Sequence, residues 1–120
     1  MPTTVVLGAS SNPRRVSYEA IGRLRRRGEN VVAIGRRPGE AHGVTIRKTA
    51  PPVADVDTVT LYLSAQNQAE YEAYILEQLR PKRLIFNPGA ENPRLYAAAT
   101  EAGIEAMNAC TLVMMSIGEY

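Results

Sequence analysis

The residues best suited to bind an anion lie in the stretch LGASSNPRRVSY, which runs from Leu7 to Tyr18. This stretch follows the apolar run Val5-Val6-Leu7 and leads into a segment with helical periodicity. Gly8 permits a tight turn with close backbone approach, while Ser10 and Ser11 add hydroxyl donors. Because the first N–H groups of a helix attract negative charge, this turn predicts a phosphate site.

Two arginines follow the turn directly. Asn12-Pro13 interrupts the chain, so we expect the first helix to start near Pro13 or Arg14, with Arg14 and Arg15 in its first turn. Cations at that end of a helix oppose its dipole, and a bound phosphate would explain them. The alternative is a plain turn with solvated arginines. The three-glycine dinucleotide fingerprint does not occur here, since the turn contains Gly8 alone.

A second arginine pair, Arg36-Arg37, follows the apolar run NVVAI. NAD sites place an acidic side chain at this position, whereas an arginine suits a phosphorylated ribose. The planar guanidinium can hold phosphate oxygens in bidentate fashion. NAD is therefore disfavoured, and coenzyme A and NADP are both favoured. A solvated surface pair is the alternative.

The elements that must position these residues alternate along the chain. Short β-branched apolar runs (TTVVL, NVVAI, GVTI, DTVTLYL, RLIF, IEAMN) are separated by amphipathic segments at 15–27, 68–79 and 93–102. Continuous apolar runs are typical of parallel strands buried on both faces. The pattern predicts an α/β fold: one Rossmann-like domain, 1–120, with a doubly wound, mainly parallel sheet of about five strands and helices on both faces. Gly28, Pro81 and Gly103 mark the helix ends, and Asn92-Pro93 marks a helix start.

Composition narrows the class of protein further. The chain is 45% hydrophobic and 22% charged, without an apolar stretch of membrane-spanning length, so we expect a cytoplasmic globular protein. One cysteine and one histidine offer neither an internal disulfide nor a zinc ligand set. Residues 1–50 hold ten Lys/Arg against three Glu, while residues 51–120 hold four against nine acids. The basic first half predicts an anionic partner.

Three motifs together resemble those of the coenzyme A-binding domain family, stand-alone Rossmann-like proteins similar to the nucleotide-binding domain of the succinyl-CoA synthetase alpha subunit. They are Gly8-Ala9-Ser10, Ser17-Tyr18 and the segment Asn87-Pro88-Gly89-Ala90-Glu91. The resemblance covers essentially the whole chain. One departure is Arg36-Arg37-Pro38, where the family usually has Asn-Pro after the second strand.

The resemblance implies coenzyme A bound across the carboxyl ends of the strands, with NADP as the alternative phosphorylated nucleotide. The residues expected to bind it are Gly8, Ala9, Ser10, Ser11, Asn12, Arg14, Ser17, Tyr18, Arg36, Arg37, Tyr62, Asn87, Pro88 and Gly89. No metal is expected.

Catalysis is not favoured by the sequence. Glu91 is better explained as a helix-start residue than as a general acid, Cys110 as a buried apolar side chain, and His42 has no identifiable orienting carboxylate. Two other classes stay open: an NADP-dependent reductase-like enzyme, and an interaction protein with a vestigial pocket. Nucleic acid is disfavoured as a partner, and a homodimer is an open alternative.

Overall fold

A computed structural model describes residues 2–120 and contains a seven-stranded sheet in the order β3-β4-β2-β1-β5-β6-β7. All neighbouring strands are parallel except β3 and β4. The strands are β1 (Thr3–Leu7), β2 (Asn30–Ile34), β3 (Gly39–Ala41), β4 (Val44–Arg47), β5 (Val56–Leu61), β6 (Arg83–Phe86) and β7 (Glu105–Asn108). The helices are α1 (Val16–Arg26), α2 (Ala65–Gln68), α3 (Pro93–Glu101) and α4 (Thr111–Ser116), and α2 continues through a 3-10 turn (Ala69–Tyr71) and a π-helical stretch (Tyr74–Leu79). The predicted α/β fold is confirmed.

Each face of the sheet has its own hydrophobic core. One face packs against the π-helical stretch and α3, with Ile75 and Leu95 fully buried. The other packs against α1 and α4, with Leu24 and Met115 buried. Helices therefore cover both faces, as the continuous apolar strands predict.

The order in which strands are added to the sheet reverses at β1. The chain runs from β1 to β2 on one side and later returns to β5 on the other, so β1 lies between strands from both halves. In open parallel sheets the carboxyl ends of the strands at such a switch point form the ligand crevice. This topology places the residues after Leu7 and after Leu61 next to each other, and the Tyr62 amide donates to the Leu7 carbonyl at 2.8 Å.

The predicted start of the first helix was wrong by two to three residues. Helix α1 begins at Val16, and Arg15 is an extended N-cap residue with φ −84° and ψ 143°. The Asn12 side chain accepts a hydrogen bond from the Arg14 amide at 3.0 Å, which holds the chain in an Asx turn instead of a helical turn. Both arginines consequently precede the helix.

The described residues form seven strands, against the expected five or so, and the one that matches none of the apolar runs is β3, which pairs with β4 in a hairpin at the edge of the sheet. Its two-residue turn, His42-Gly43, has φ values of 49° and 82°, the signs that a type I′ turn requires. The sequence GEA contains no β-branched or aromatic residue, so its composition does not indicate a strand.

Helix ends agree more closely with their sequence signals. Gly28 and Gly103 have positive φ just beyond α1 and α3, and the Asn92 side chain accepts from the Leu95 amide as an N-cap. The second helical segment starts at Ala65, three residues before its predicted start at Gln68. No helix within residues 2–120 is both long and apolar enough to cross a membrane.

Candidate functional site

A crevice of about 660 Å³ lies at the carboxyl ends of β1, β2 and β5. Most of the residues predicted from sequence to bind the ligand line this crevice: Gly8, Ala9, Ser10, Ser11, Asn12, Arg14, Ser17, Arg36, Arg37, Tyr62 and Pro88. Arg15, the other member of the predicted arginine pair, also lines it, as does Val16, which the sequence did not single out. The topology therefore brings both predicted arginine pairs to one cavity.

The glycine turn is shaped by close contacts within the chain. Gly8 has φ +94°, and a Cβ atom there would lie 2.9 Å from the Tyr62 carbonyl carbon. Its amide and that of Ala9 both donate to the Ile34 carbonyl, at 2.9 and 3.0 Å. Gly8 and Ala9 thus join the end of β1 to the end of β2, and their amides are not free to donate to a ligand.

The amides free to meet a ligand lie further along the turn. The Asn12 amide donates to the Ser10 hydroxyl at 3.0 Å, and the Arg14 amide is taken by the Asx turn. Within residues 2–120, no hydrogen bond in the structure uses the amides of Ser10 or Ser11. The first amides of α1, at Val16 and Ser17, have no partner inside the helix. These four N–H groups of the crevice are available as hydrogen-bond donors.

The crevice has a strongly positive charge. Arg14, Arg15, Arg36 and Arg37 are exposed, and among the described residues none of them forms an ion pair. The lining residues include no carboxylate. Four cations around one cavity repel each other, and a bound polyanion would relieve that repulsion.

Tyr62 carries a polar atom that the protein itself does not satisfy. Its hydroxyl is buried and, within the described part of the chain, has no hydrogen-bond partner. Burial raises the pKa of Tyr62 from 10.0 to about 12. An unsatisfied buried hydroxyl costs about 1–3 kcal/mol, and because this atom is not exposed to the crevice, the cost falls on the stability of the fold.

Replacing Tyr62 by Phe is expected to leave the unfolding free energy at pH 7 unchanged or raise it by about 1 kcal/mol, because an unpaired hydroxyl is removed. The folded pKa of about 12 exceeds the ordinary value of 10.0 expected for the unfolded chain. The unfolded state therefore loses its proton first, and the stabilisation present below pH 10 is lost as the pH rises towards 12. Allowing for partial exposure, we expect Y62F to gain about 2 kcal/mol over the wild type across this range. Urea unfolding at several pH values measures the difference in unfolding free energy between Y62F and the wild type. A difference that stays constant from about pH 9 to 12 would contradict the expectation.

Three predicted binding residues lie outside the lining of the crevice. Tyr18 packs against the ring of His42, with centroids 4.4 Å apart. The Gly89 amide donates to the Glu91 carboxylate at 2.9 Å, so Glu91 is engaged in its own turn. Asn87 is buried, and a ligand contact by any of the three stays a prediction.

Asn87 instead organises the strand ends beneath the crevice. Its side-chain amide donates to the Thr60 hydroxyl at 2.7 Å and to the Leu61 carbonyl at 2.8 Å. Its side-chain oxygen accepts from the Thr111 amide at 2.8 Å, and the hydroxyls of Thr60 and Thr111 are hydrogen-bonded to each other. This network fixes the start of α4 against β5 and β6. Cys110, directly before it, is a partly buried free thiol.

A smaller cavity of about 120 Å³ adjoins the crevice. The two share Gly8 and Arg36, and the remaining lining residues of the smaller one are Gly35, Lys48, Leu63, Glu70 and Tyr71. Sequence reasoning missed Gly35, Lys48, Glu70 and Tyr71, whereas Leu63 lies in the segment Tyr62-Leu63-Ser64 that the sequence offers as a candidate ligand contact. The available signal was the position of Lys48, directly after the run GVTIR, which ends at the same edge of the sheet as the turn.

Known proteins share both the sequence pattern and the fold. A family model described as a CoA binding domain matches residues 2–116. No match to the chain was found among curated proteins. A solved crystal structure of an uncharacterized protein is 46% identical, with a TM-score of 0.96, and the alignment covers 100% of this chain and 98% of that one.

More distant solved structures show the same fold. A hypothetical protein from Pyrococcus horikoshii OT3 is 21% identical, with a TM-score of 0.84 and coverage of 95% of this chain and 81% of that one. Aspartate dehydrogenase from Thermotoga maritima is 16% identical, with a TM-score of 0.60, and the match covers 100% of this chain and 52% of the enzyme. These likenesses concern the Rossmann-like fold, whereas the family model spans nearly every residue of the chain. The chain belongs to the CoA-binding domain family.

Proposed function

We propose that this protein binds coenzyme A or an acyl-CoA in the crevice at the carboxyl ends of its strands, and holds it without chemistry of its own, as a carrier or sensor in the cytoplasm. The observation that carries the proposal is the group of four arginines that make no ion pair with the described residues and surround free backbone amides. Coenzyme A contains a pyrophosphate and a 3′-phosphate, so its charge matches such a cavity.

The turn is suited to the pyrophosphate. The amides of Ser10 and Ser11 and the start of α1 provide several N–H donors, and Arg14 and Arg15 stand beside them. Arg36 and Arg37 follow β2, where a ribose phosphate is expected in this class of fold. In this arrangement every cation of the crevice faces a phosphate group.

The lining residues favour binding over catalysis. Among the described residues that line the crevice there is no carboxylate, histidine or cysteine, so the hydroxyls of Ser10, Ser11 and Ser17 have no general base among them. Glu91 accepts a hydrogen bond from Gly89 in its own turn. We therefore propose a ligand-holding role.

Thermal unfolding with four ligands at matched concentration tests the proposal. Coenzyme A, dephospho-coenzyme A, NADP and NAD differ in the presence and position of the ribose phosphate. A ligand at about 100 times its dissociation constant adds about 2.7 kcal/mol to the unfolding free energy, a shift of several degrees for a domain of this size. We expect the largest shift with coenzyme A and a smaller one with its dephospho form. No shift with coenzyme A at concentrations up to the millimolar range would overturn the proposal.

NADP is the second candidate ligand, because Arg36 and Arg37 also suit a 2′-phosphate. A larger shift with NADP than with coenzyme A would favour a reductase-like protein. Oxidation of NADPH in the presence of small carbonyl compounds would then establish an enzyme.

A further inference from the structure

Two cations meet in the smaller cavity, the one bounded by Gly35, Lys48, Leu63, Glu70 and Tyr71 next to the crevice. The Gly35 amide donates to the Arg47 carbonyl at 2.9 Å, which fixes the ends of β2 and β4 side by side. Arg36 and Lys48 are the next residues along these two chain segments. Within the described residues neither of them forms an ion pair. Adjacent like charges are unfavourable, and a doubly charged phosphate monoester between them would relieve the repulsion.

The remaining walls have a different character. Leu63 and Tyr71 provide an apolar side chain and an aromatic ring, and Glu70 provides the only carboxylate in the lining. Burial raises the pKa of Tyr71, with Glu70 raising it further and Arg36 opposing the rise, so both charges lie within electrostatic reach of the phenol. The cavity thus has an aromatic surface, a hydrogen-bond acceptor and two cations.

The two cavities form one path over the start of the glycine turn. Gly8 and Arg36 line both, so a ligand whose pyrophosphate lies on the turn can extend past them. The volume of about 120 Å³ is several times the volume of about 30 Å³ that a water molecule occupies in the liquid, enough for part of a planar ring system.

We propose that this smaller cavity selects the 3′-phosphorylated adenosine end of the ligand. Lys48 and Arg36 bind the 3′-phosphate, the ring of Tyr71 stacks on the base, and the Glu70 carboxylate accepts a hydrogen bond from the exocyclic amine. The inference rests on the proposed binding of coenzyme A and adds the residues that recognise one end of it. Lys48 acts only through the phosphate, whereas Tyr71 acts through the base.

Calorimetric titration of coenzyme A and dephospho-coenzyme A tests the role of Lys48. We expect Lys48→Ala to weaken coenzyme A binding about tenfold or more, as the loss of a charge-assisted contact does, and to change dephospho-coenzyme A binding less than twofold. Lys82→Ala removes the same charge from an exposed position at the opposite end of the sheet and is expected to change neither.

Tyr71 variants test the other half of the cavity. Loss of base stacking in Tyr71→Ala is expected to weaken the binding of coenzyme A and of dephospho-coenzyme A by the same factor, about fivefold or more. Tyr71→Phe keeps the ring and is expected to keep the affinity. Since Tyr71 packs partly against the core, the melting temperature of each variant is recorded first, and Tyr71→Leu, which keeps apolar volume without a ring, replaces the alanine variant if that one unfolds.

The outcomes separate the two proposals. Suppose that the wild type binds coenzyme A but that Lys48→Ala leaves this affinity unchanged, or lowers the affinities for coenzyme A and dephospho-coenzyme A equally. The assignment of the 3′-phosphate to this cavity is then overturned, and the binding function stands. If Tyr71→Phe weakens binding as much as removal of the ring would, stacking is overturned. If the wild type binds neither ligand, the proposed function itself fails.

Discussion

Reversing the charge at Arg36 is expected to weaken coenzyme A binding by about 100-fold or more. Among residues 2–120, Arg36 is the one cation that lines both the crevice and the smaller cavity, so it faces the greatest phosphate charge in the proposed complex. In the proposed complex the ligand covers the exposed Arg36; truncating one partner of a charge pair buried at an interface costs about 2–5 kcal/mol, and Arg36→Glu adds repulsion to that loss. Isothermal titration of the wild type and the variant at about 0.1 M salt measures the effect.

A matched control separates a local contact from a general loss of positive charge. Arg26 is exposed near the end of α1 and lines neither of these cavities, so Arg26→Glu changes the net charge by the same amount. We expect it to alter the dissociation constant by less than about threefold, because a charge beyond the Debye length of about 10 Å is largely screened. Equal losses in the two variants, or none in Arg36→Glu, would place the phosphates elsewhere.

The parts of the fold that local rules determine were predictable. Asn92-Pro93 starts α3, and Gly28 and Gly103 end α1 and α3, because capping and left-handed glycine conformations depend on a few adjacent residues. The apolar strand runs also predicted the parallel sheet, because a strand that is buried on both faces shows no alternation of polar and apolar residues in its sequence.

The start of α1 and the first strand of the hairpin were not predictable in this way. A side chain, that of Asn12, replaces the first helical turn by accepting from the Arg14 amide, and the bare sequence NPRR is equally compatible with a helix starting at Pro13. Strand β3 forms because the His42-Gly43 turn folds β4 back against it, although the residues of β3 have little preference for strands. In both cases interactions with neighbouring residues override propensity.

The residues of the candidate site also fall into a predictable and an unpredictable group. Its arginine pairs follow strands that were recognised, so their convergence followed from topology. Lys48, Glu70 and Tyr71 come from two segments, one after β4, which pairs with β2, and one in the helical segment after β5, and only the folded chain brings the two together. The ligand contact predicted for Asn87 stays a prediction, and only the structure shows that its side chain hydrogen-bonds to Thr60, Leu61 and Thr111.

Adding one methyl group at Gly35 is expected to destabilise the fold strongly. A Cβ atom there would lie 2.2 Å from the Ala9 carbonyl oxygen and 3.0 Å from Cγ2 of Ile46. The first contact is with backbone, so it can be relieved only by moving the turn at Ala9 or the end of β2. We expect Gly35→Ala to lower the unfolding free energy by about 3 kcal/mol or more, which corresponds to about 10 °C in the melting temperature.

The comparison with Gly103→Ala isolates the cause. Gly103 has φ +87°, but no atom lies within 4 Å of a Cβ placed there, so its substitution costs only the left-handed conformation, about 1 kcal/mol. Gly35 has no positive φ, and its penalty comes from contact alone. Since the displaced group is the Ala9 carbonyl, Gly35→Ala should also weaken coenzyme A binding in any fraction that folds, whereas Gly103→Ala should leave it unchanged. If Gly35→Ala were as stable as Gly103→Ala, the close approach of β2 to the turn would not be what shapes the site.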